Sequence, residues 1–166
     1  TKEASDMILE DDNFATIVKA IQGGRHIYDN VTKYIRLMLA ANFDEFIEIT
    51  IVTLLGLPLP FLPIHILWIN LVTDGLPAIA LSIDPPDPDL MKYPPRDPNE
   101  GLLKRFWRFI IFAALVDFIS DFVPFMWAFS TTWMATGDYE LAATTARTIA
   151  FTSIVFFEFL LAYQCR

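Results

Sequence analysis

The stretch Ile66–Ala78, ILWINLVTDGLPA, decides how this chain is read. It lies inside the apolar run Phe61–Ile83, about the length a helix needs to cross a bilayer, yet it carries an acid, Asp74. Asn70, Thr73 and Asp74 fall at i, i+3 and i+4, which puts them on one helical face. Gly75-Leu76-Pro77 follows at once. Pro77 has no backbone N–H and frees the carbonyl of Thr73, four residues earlier, while Gly75 lets the chain unwind there. Helices broken at membrane depth occur where backbone lines an ion or substrate site.

Three further apolar stretches surround this one: Tyr34–Gly56, Phe106–Phe129 and Thr148–Cys165. The expected fold class is therefore an all-α membrane protein with four transmembrane helices. Pro58 and Pro60, in the linker Leu57-Pro58-Leu59-Pro60, stop a helix, so 34–83 reads as a tight transmembrane hairpin and 106–166 as a second transmembrane pair. Composition agrees: of 166 residues, 54% are hydrophobic and only 19% charged, against about 25% charged in soluble domains. The net charge of −8 argues against nucleic acid as a partner. The single cysteine, Cys165, excludes an internal disulfide or a thiolate metal cage. His26 and His65 stand far apart in the sequence, which argues against a zinc site.

Basic residues set the expected orientation. Arg25, Lys33 and Arg36 precede the first span, and Lys92, Arg96, Lys104, Arg105 and Arg108 lie between the second and third. The hairpin has none, and Ser130–Arg147, read as the connection between spans three and four, has only Arg147. The N-terminus, the 84–105 loop and the C-terminus are thus expected on the cytoplasmic side of a multi-pass protein. Trp107, Trp127 and Trp133 stand where interfacial aromatic belts would put them.

Residues 1–33 are polar. Asp11-Asp12-Asn13 reads as an N-cap cluster, and Phe14, Ile17, Val18 and Ile21 repeat at helical spacing. Gly23-Gly24 weakens that helix by about 1 kcal/mol per glycine, but the pattern resumes through Ile27, Val31 and Tyr34. The reading is one long helix whose part 14–33 is a cytoplasmic stalk running into the first span. The chain begins at Thr1 and is read as a piece of something longer. The 84–105 loop holds six of the eleven prolines along with Asp84, Asp87, Asp89, Asp97 and Glu100. It reads as a stiff solvated connector or as a docking surface for a cytoplasmic domain.

Seven acids fall within the spans: Asp44, Glu45, Glu48, Asp74, Asp117, Asp121 and Glu158. Each costs about 2.5–3.5 kcal/mol at a helix centre on insertion scales. No lysine or arginine occurs in 37–91, 109–146 or 148–165 to neutralise them. By default such groups mark an ion or proton pathway. Asn42 and Glu45 share a face at i and i+3, and with Thr73, Asp74 and Glu158 they offer oxygen ligands of the kind calcium takes in sixes to eights. Asp44 and Glu48 are expected in an access path or a structural role. Asp117 and Asp121 are expected to face water or bond to a partner, and His65 to pack near an interface.

Taken together, these motifs resemble the membrane half of a P-type cation-transporting ATPase, nearest to calcium pumps of the sarco/endoplasmic-reticulum type and their prokaryotic relatives. TKEASDMILEDDNFAT (Thr1–Thr16) looks like the tail of that family's phosphorylation domain, which places such a tail at 1–13. GRHIYDNVTKYIR (Gly24–Arg36) looks like the stalk of its fifth transmembrane helix, and ILWINLVTDGLPA like its sixth, followed by DPPD (Asp84–Asp87) and PPR (Pro94–Arg96). The resemblance implies that the spans are helices five to eight of a pump and that the metal ligands are Asn42, Glu45, Asn70, Thr73, Asp74 and Glu158. It implies calcium as the transported ion: sodium/potassium pumps usually carry Asp at the Asn70 position, plasma-membrane calcium pumps lack the acid at Glu45, and the Cys-Pro-Cys of heavy-metal pumps is absent. Asp44, Asp117 and Asp121 depart from the family pattern.

The family's phosphorylated aspartate motif and nucleotide-binding domain do not occur in these residues, so Mg2+ and ATP are expected to act in domains outside them. With no catalytic or cofactor-binding residue of its own, the chain is expected to be inactive as an ATPase by itself. Its partners would be calcium ions, the lipid bilayer, and the remaining helices and cytoplasmic domains of the same pump. Two other readings stay open: a self-standing cation channel or secondary transporter, and a non-catalytic partner of an intact pump.

Overall fold

A computed structural model describes residues 8, 13–96 and 101–166, and every regular element among them is helical. The tail assigned to 1–13 lies, apart from Ile8 and Asn13, outside the described residues, as do Asp97, Pro98 and Glu100. Helix α1 runs unbroken over Phe14–Leu54, about 60 Å at 1.5 Å per residue. Asn13 caps it, its side chain accepting from the Ala15 N–H at 3.0 Å. Gly23 and Gly24 do not interrupt it. Past the end of α1, Gly56 takes φ 67°, a left-handed conformation glycine adopts without strain.

The second arm of the hairpin comprises α2 (Pro63–Trp68), a π turn (Ile69–Thr73) and α3 (Gly75–Ser82). The expected break at Gly75 is therefore a widened turn rather than an unwound segment. Here the Asp74 N–H donates to the Ile69 carbonyl at 2.9 Å, five residues back. A π turn keeps backbone groups paired, which matters where no water can replace a lost bond.

Helices α4 (Leu102–Thr136) and α5 (Tyr139–Cys165) form an antiparallel pair. Only Gly137 and Asp138 separate them, so the expected 130–147 connection is almost wholly helical. Gly137 (φ 68°) ends α4, its N–H donating to the Trp133 carbonyl at 2.8 Å. Asp138 starts α5, its side chain accepting from the N–H groups of Glu140 and Leu141.

Three helical stretches are long and apolar enough to cross a membrane: Pro63–Ser82, Phe106–Thr136 and Tyr139–Cys165. The protein is thus an integral, multi-pass membrane protein. The upper half of α1 is not among the three, because Asp44, Glu45 and Glu48 crowd into five residues and lower its hydropathy. In lipid the hydrophobic effect does not drive helices together, so close packing of small residues does much of that work. On α5, Ala142, Ala146 and Ala150 repeat every fourth residue, are fully buried, and pack with Phe125, Ala128 and Phe129 of α4. His65 packs its ring on Phe151, centroids 5.0 Å apart. Arg147 pins the hairpin linker by donating from Nε to the Leu59 carbonyl at 2.9 Å.

The described part of the Pro-rich loop is fastened to α1 of its own chain. Arg25 donates to the carbonyls of Leu90 (3.0 Å) and Tyr93 (2.7 Å), and His26 Nε2 to the carbonyl of Asp84 (2.7 Å). Asn30 donates to the carbonyls of Ser82 and Asp84, Arg96 pairs with Asp29, and the Asp84 carboxylate pairs with both Lys33 and Arg166. The hydrogen bond from Lys33 is the main cause holding the Asp84 pKa below its usual 3.8, with Arg166 adding to it. A depressed carboxylate pKa stabilises the docked state fully above the unfolded value and loses that stabilisation as pH falls through the folded one. Docking of the loop, followed by hydrogen exchange of residues 84–93, should hold at pH 5 and weaken only below about pH 4. Asp84→Asn should loosen it at neutral pH and converge with the parent at low pH, where Asp84 is protonated; equal protection in the variant and the parent at pH 7 would show that the ion pair does not hold the loop.

Candidate cation site

All seven acids of the spans are buried, from 0% exposed for Asp44, Glu48, Asp117 and Asp121 to 7% for Glu45. Side-chain oxygens of every one of them lack a hydrogen-bond partner, both oxygens in the case of Asp44, Glu48, Asp117, Asp121 and Glu158. An unpaired buried charge is among the costliest things a fold can hold. Such a concentration, in a region without lysine or arginine, has to be neutralised by bound cations or by protons.

The buried acids form one electrostatically connected cluster, since Asp44 interacts with Glu45, and Glu158 with Asp44, Asp117 and Asp121. Two parts of it can be told apart by their ligand geometry. In the first, Glu45 of α1 lies in electrostatic reach of Asp74 and hydrogen-bonding reach of the Asn70 amide. Glu158 of α5 lies in electrostatic reach of Asp74 and Glu45, and more weakly of Asp121 and Asp44. Asp74 sits between the π turn and α3, with Thr73 buried beside it (1% exposed). Pro77 leaves the Thr73 carbonyl without its helical donor. Of the six expected ligands, Glu45, Thr73, Asp74 and Glu158 are buried, and the three acids lie in electrostatic reach of one another. Among the described residues, however, only the trio Asp44, Asp117 and Asp121 brings carboxylate oxygens within 4.8 Å of one another. Asn42 lies one turn before Glu45 on an exposed part of α1, and its amide donates to the Met38 carbonyl at 2.7 Å. Asn70 is exposed as well, and its amide also donates to the Ile66 carbonyl at 3.0 Å. The flank that bears both asparagines is apolar: Phe43, Phe46, Leu67 and Leu71 are between 50% and 69% exposed.

In the second group, Asp44 of α1 meets Asp117 and Asp121 of α4, with one carboxylate oxygen from each within 4.8 Å of the others. This corrects the expectation that Asp117 and Asp121 face water or bond to a partner: both are fully buried and their oxygens are unpartnered. Their i, i+4 spacing puts them on one face, but no local signal says that the face turns toward α1. Asp44 and Glu45 are sequence neighbours and point about 100° apart around the helix, so each joins a different group.

An all-helical, multi-pass fold with seven buried acids in its apolar stretches defines an integral membrane protein with a candidate cation site. The chain belongs to the family described as cation transporting ATPase, C-terminus, which matches residues 58–166. It is 44% identical over 167 aligned residues to a calcium-transporting ATPase of Bacillus subtilis, an alignment that covers 99% of this chain and 18% of the relative. It is 46% identical over 125 residues to calcium-transporting ATPase 1 of Bacillus cereus, covering 75% of this chain and 14% of the relative. The chain thus spans less than a fifth of the length of these curated relatives.

Proposed function

We propose that the chain forms the membrane cation-binding and translocation part of an ATP-driven calcium pump of the P type. The observation that carries this is the burial of Glu45, Asp74 and Glu158 from separate helices around a π turn, with no basic residue to balance them. Three carboxylates in electrostatic reach of one another repel unless a cation stands between them, and a divalent ion offsets that repulsion better than a monovalent one. Calcium takes six to eight oxygens. Asn42, Glu45, Asn70, Thr73, Asp74 and Glu158 are its ligands in this reading, with water completing the shell.

The upper half of α1 is the fourth crossing, and its acids are tolerated because they face the ion and neighbouring helices rather than lipid. The lower half, 14–33, is the stalk. A continuous helix about 60 Å long carries a tilt imposed at one end to Glu45 near the other, which changes the ligand geometry and lowers affinity. The N-terminus, the 84–105 loop and the C-terminus face the cytoplasm. ATP and Mg2+ act in domains beyond this chain, and further helices of the same pump cover the open flank around Asn42 and Asn70.

The test is transport by the complete polypeptide in sealed vesicles. ATP-driven accumulation of radioactive calcium, with a calcium-dependent acid-stable phosphoryl group on that polypeptide, is the expected result. Calcium flux that needs no ATP would replace the pump with a channel. Phosphorylation found only on a co-purifying pump would make the chain a partner.

A further inference from the structure

The second acidic group is not absorbed by the reading above. Its geometry is that of a single-ion site. Oxygens bound to one calcium at about 2.4 Å can be at most about 4.8 Å apart, and the oxygens of Asp44, Asp117 and Asp121 meet that limit. All three side chains are 0% exposed, and none of their six oxygens has a hydrogen-bond partner. A further buried acid lies near: Glu48, one turn beyond Asp44 on the same helix, is 0% exposed, has both oxygens unpartnered, and lies in electrostatic reach of Asp44, Asp117 and Asp121.

The backbone of α4 adds a ligand of another kind. Pro124 lies inside the helix and cannot donate to the Ser120 carbonyl, which is left without its helical partner one residue before Asp121. The pattern Asp121-Phe122-Val123-Pro124 repeats the spacing of Asp74-Gly75-Leu76-Pro77: an aspartate, and three residues on a proline that frees the carbonyl just before it. Residues 117, 120, 121 and 124 form one stripe on α4.

We propose that Asp44, Asp117 and Asp121 form a second site for a hard divalent cation, between α1 and α4, with ligands different from those of the Glu45/Asp74/Glu158 site but within electrostatic reach of it. Glu48 and the Ser120 carbonyl complete its oxygen shell. Neutral acids can be buried one at a time, whereas gathering three from two helices within the diameter of one coordination sphere is what an ion requires. The all-oxygen donor set suits Ca2+, Mg2+ or Mn2+ and excludes soft metals.

The experiment counts ions bound at equilibrium, without ATP, to the complete polypeptide in lipid nanodiscs, using radioactive Ca2+ and, separately, Mn2+. Asp117→Asn/Asp121→Asn keeps side-chain shape and removes buried charge. It should bind one ion fewer than the parent with at least one of these probes while retaining the Asp74-dependent binding. Asp74→Asn should retain the ion that the double variant loses. Glu48→Gln, the smaller change should the double variant not fold, should weaken that same ion by about 10–100-fold. If the double variant binds as many ions as the parent, with unchanged affinity for both probes, the site is overturned and the cluster is held by protons alone. Loss of the α1–α4 ion with calcium transport unaffected by Asp74→Asn would uphold this site and sink the transport site instead.

Discussion

Asp74→Asn, introduced into the complete protein, is expected to weaken calcium binding by at least about 100-fold and to abolish turnover at micromolar calcium. Two unit charges about 4 Å apart interact by about 4 kcal/mol at an effective dielectric near 20, and each 1.4 kcal/mol is about tenfold in affinity. The interaction with a divalent ion is larger still. Asparagine keeps the shape and one oxygen, so the change removes charge rather than packing, and Asp74 is 1% exposed with little room to rearrange. Folding should survive, because an unpartnered buried acid is replaced by a neutral amide. Gel filtration and a thermal melt check that, and calcium-dependent ATP hydrolysis reads the effect. Undiminished turnover in a folded Asp74→Asn variant would move the transported ion away from the π turn.

The second large effect concerns packing. Ala146 is fully buried in the seam where α5 meets Phe125 and Phe129 of α4. Ala146→Phe would force the two helices apart, since packed interiors have no spare volume for a ring. Overpacking costs about 1–3 kcal/mol, occasionally more, and here it also opens the seam that leads along α5 to Glu158. The thermal midpoint of the complete protein in detergent should fall by several degrees, with weaker calcium binding. Leu160→Phe serves as the control: Leu160 is 64% exposed on the same helix and should tolerate the ring. If both variants melt alike, the alanine repeat is not what holds α4 to α5.

The membrane class, the helical elements and the break near Asp74 were legible in the residues, because hydropathy and the 3.6-residue period are local properties. So was the capping of α1 by Asn13. The stretch 130–147 was misread as a connection for a local reason: it is rich in Ser and Thr. Their hydroxyls satisfy themselves within the helices, Thr131 donating to Trp127, Thr136 to Thr132, Thr145 to Leu141 and Thr148 to Thr144, each four residues back. Polar composition there does not end a helix; Gly137 does.

By itself the sequence determined that seven acids lie in apolar stretches with no lysine or arginine among them, and which of them share a helical face. Only the tertiary structure decided who meets whom. Asp44 brings a carboxylate oxygen within 4.8 Å of Asp117 and Asp121, while its neighbour Glu45 lies in electrostatic reach of Asp74 and Glu158. It likewise decided that the Pro-rich loop folds back on Arg25, Asn30 and Lys33. The physical reason is that a helix's period assigns residues to faces, whereas the facing helix is chosen by packing among residues far apart in the chain. Two adjacent carboxylates are therefore one feature in the sequence, while in the fold only Asp44 of the two meets Asp117 and Asp121 within 4.8 Å.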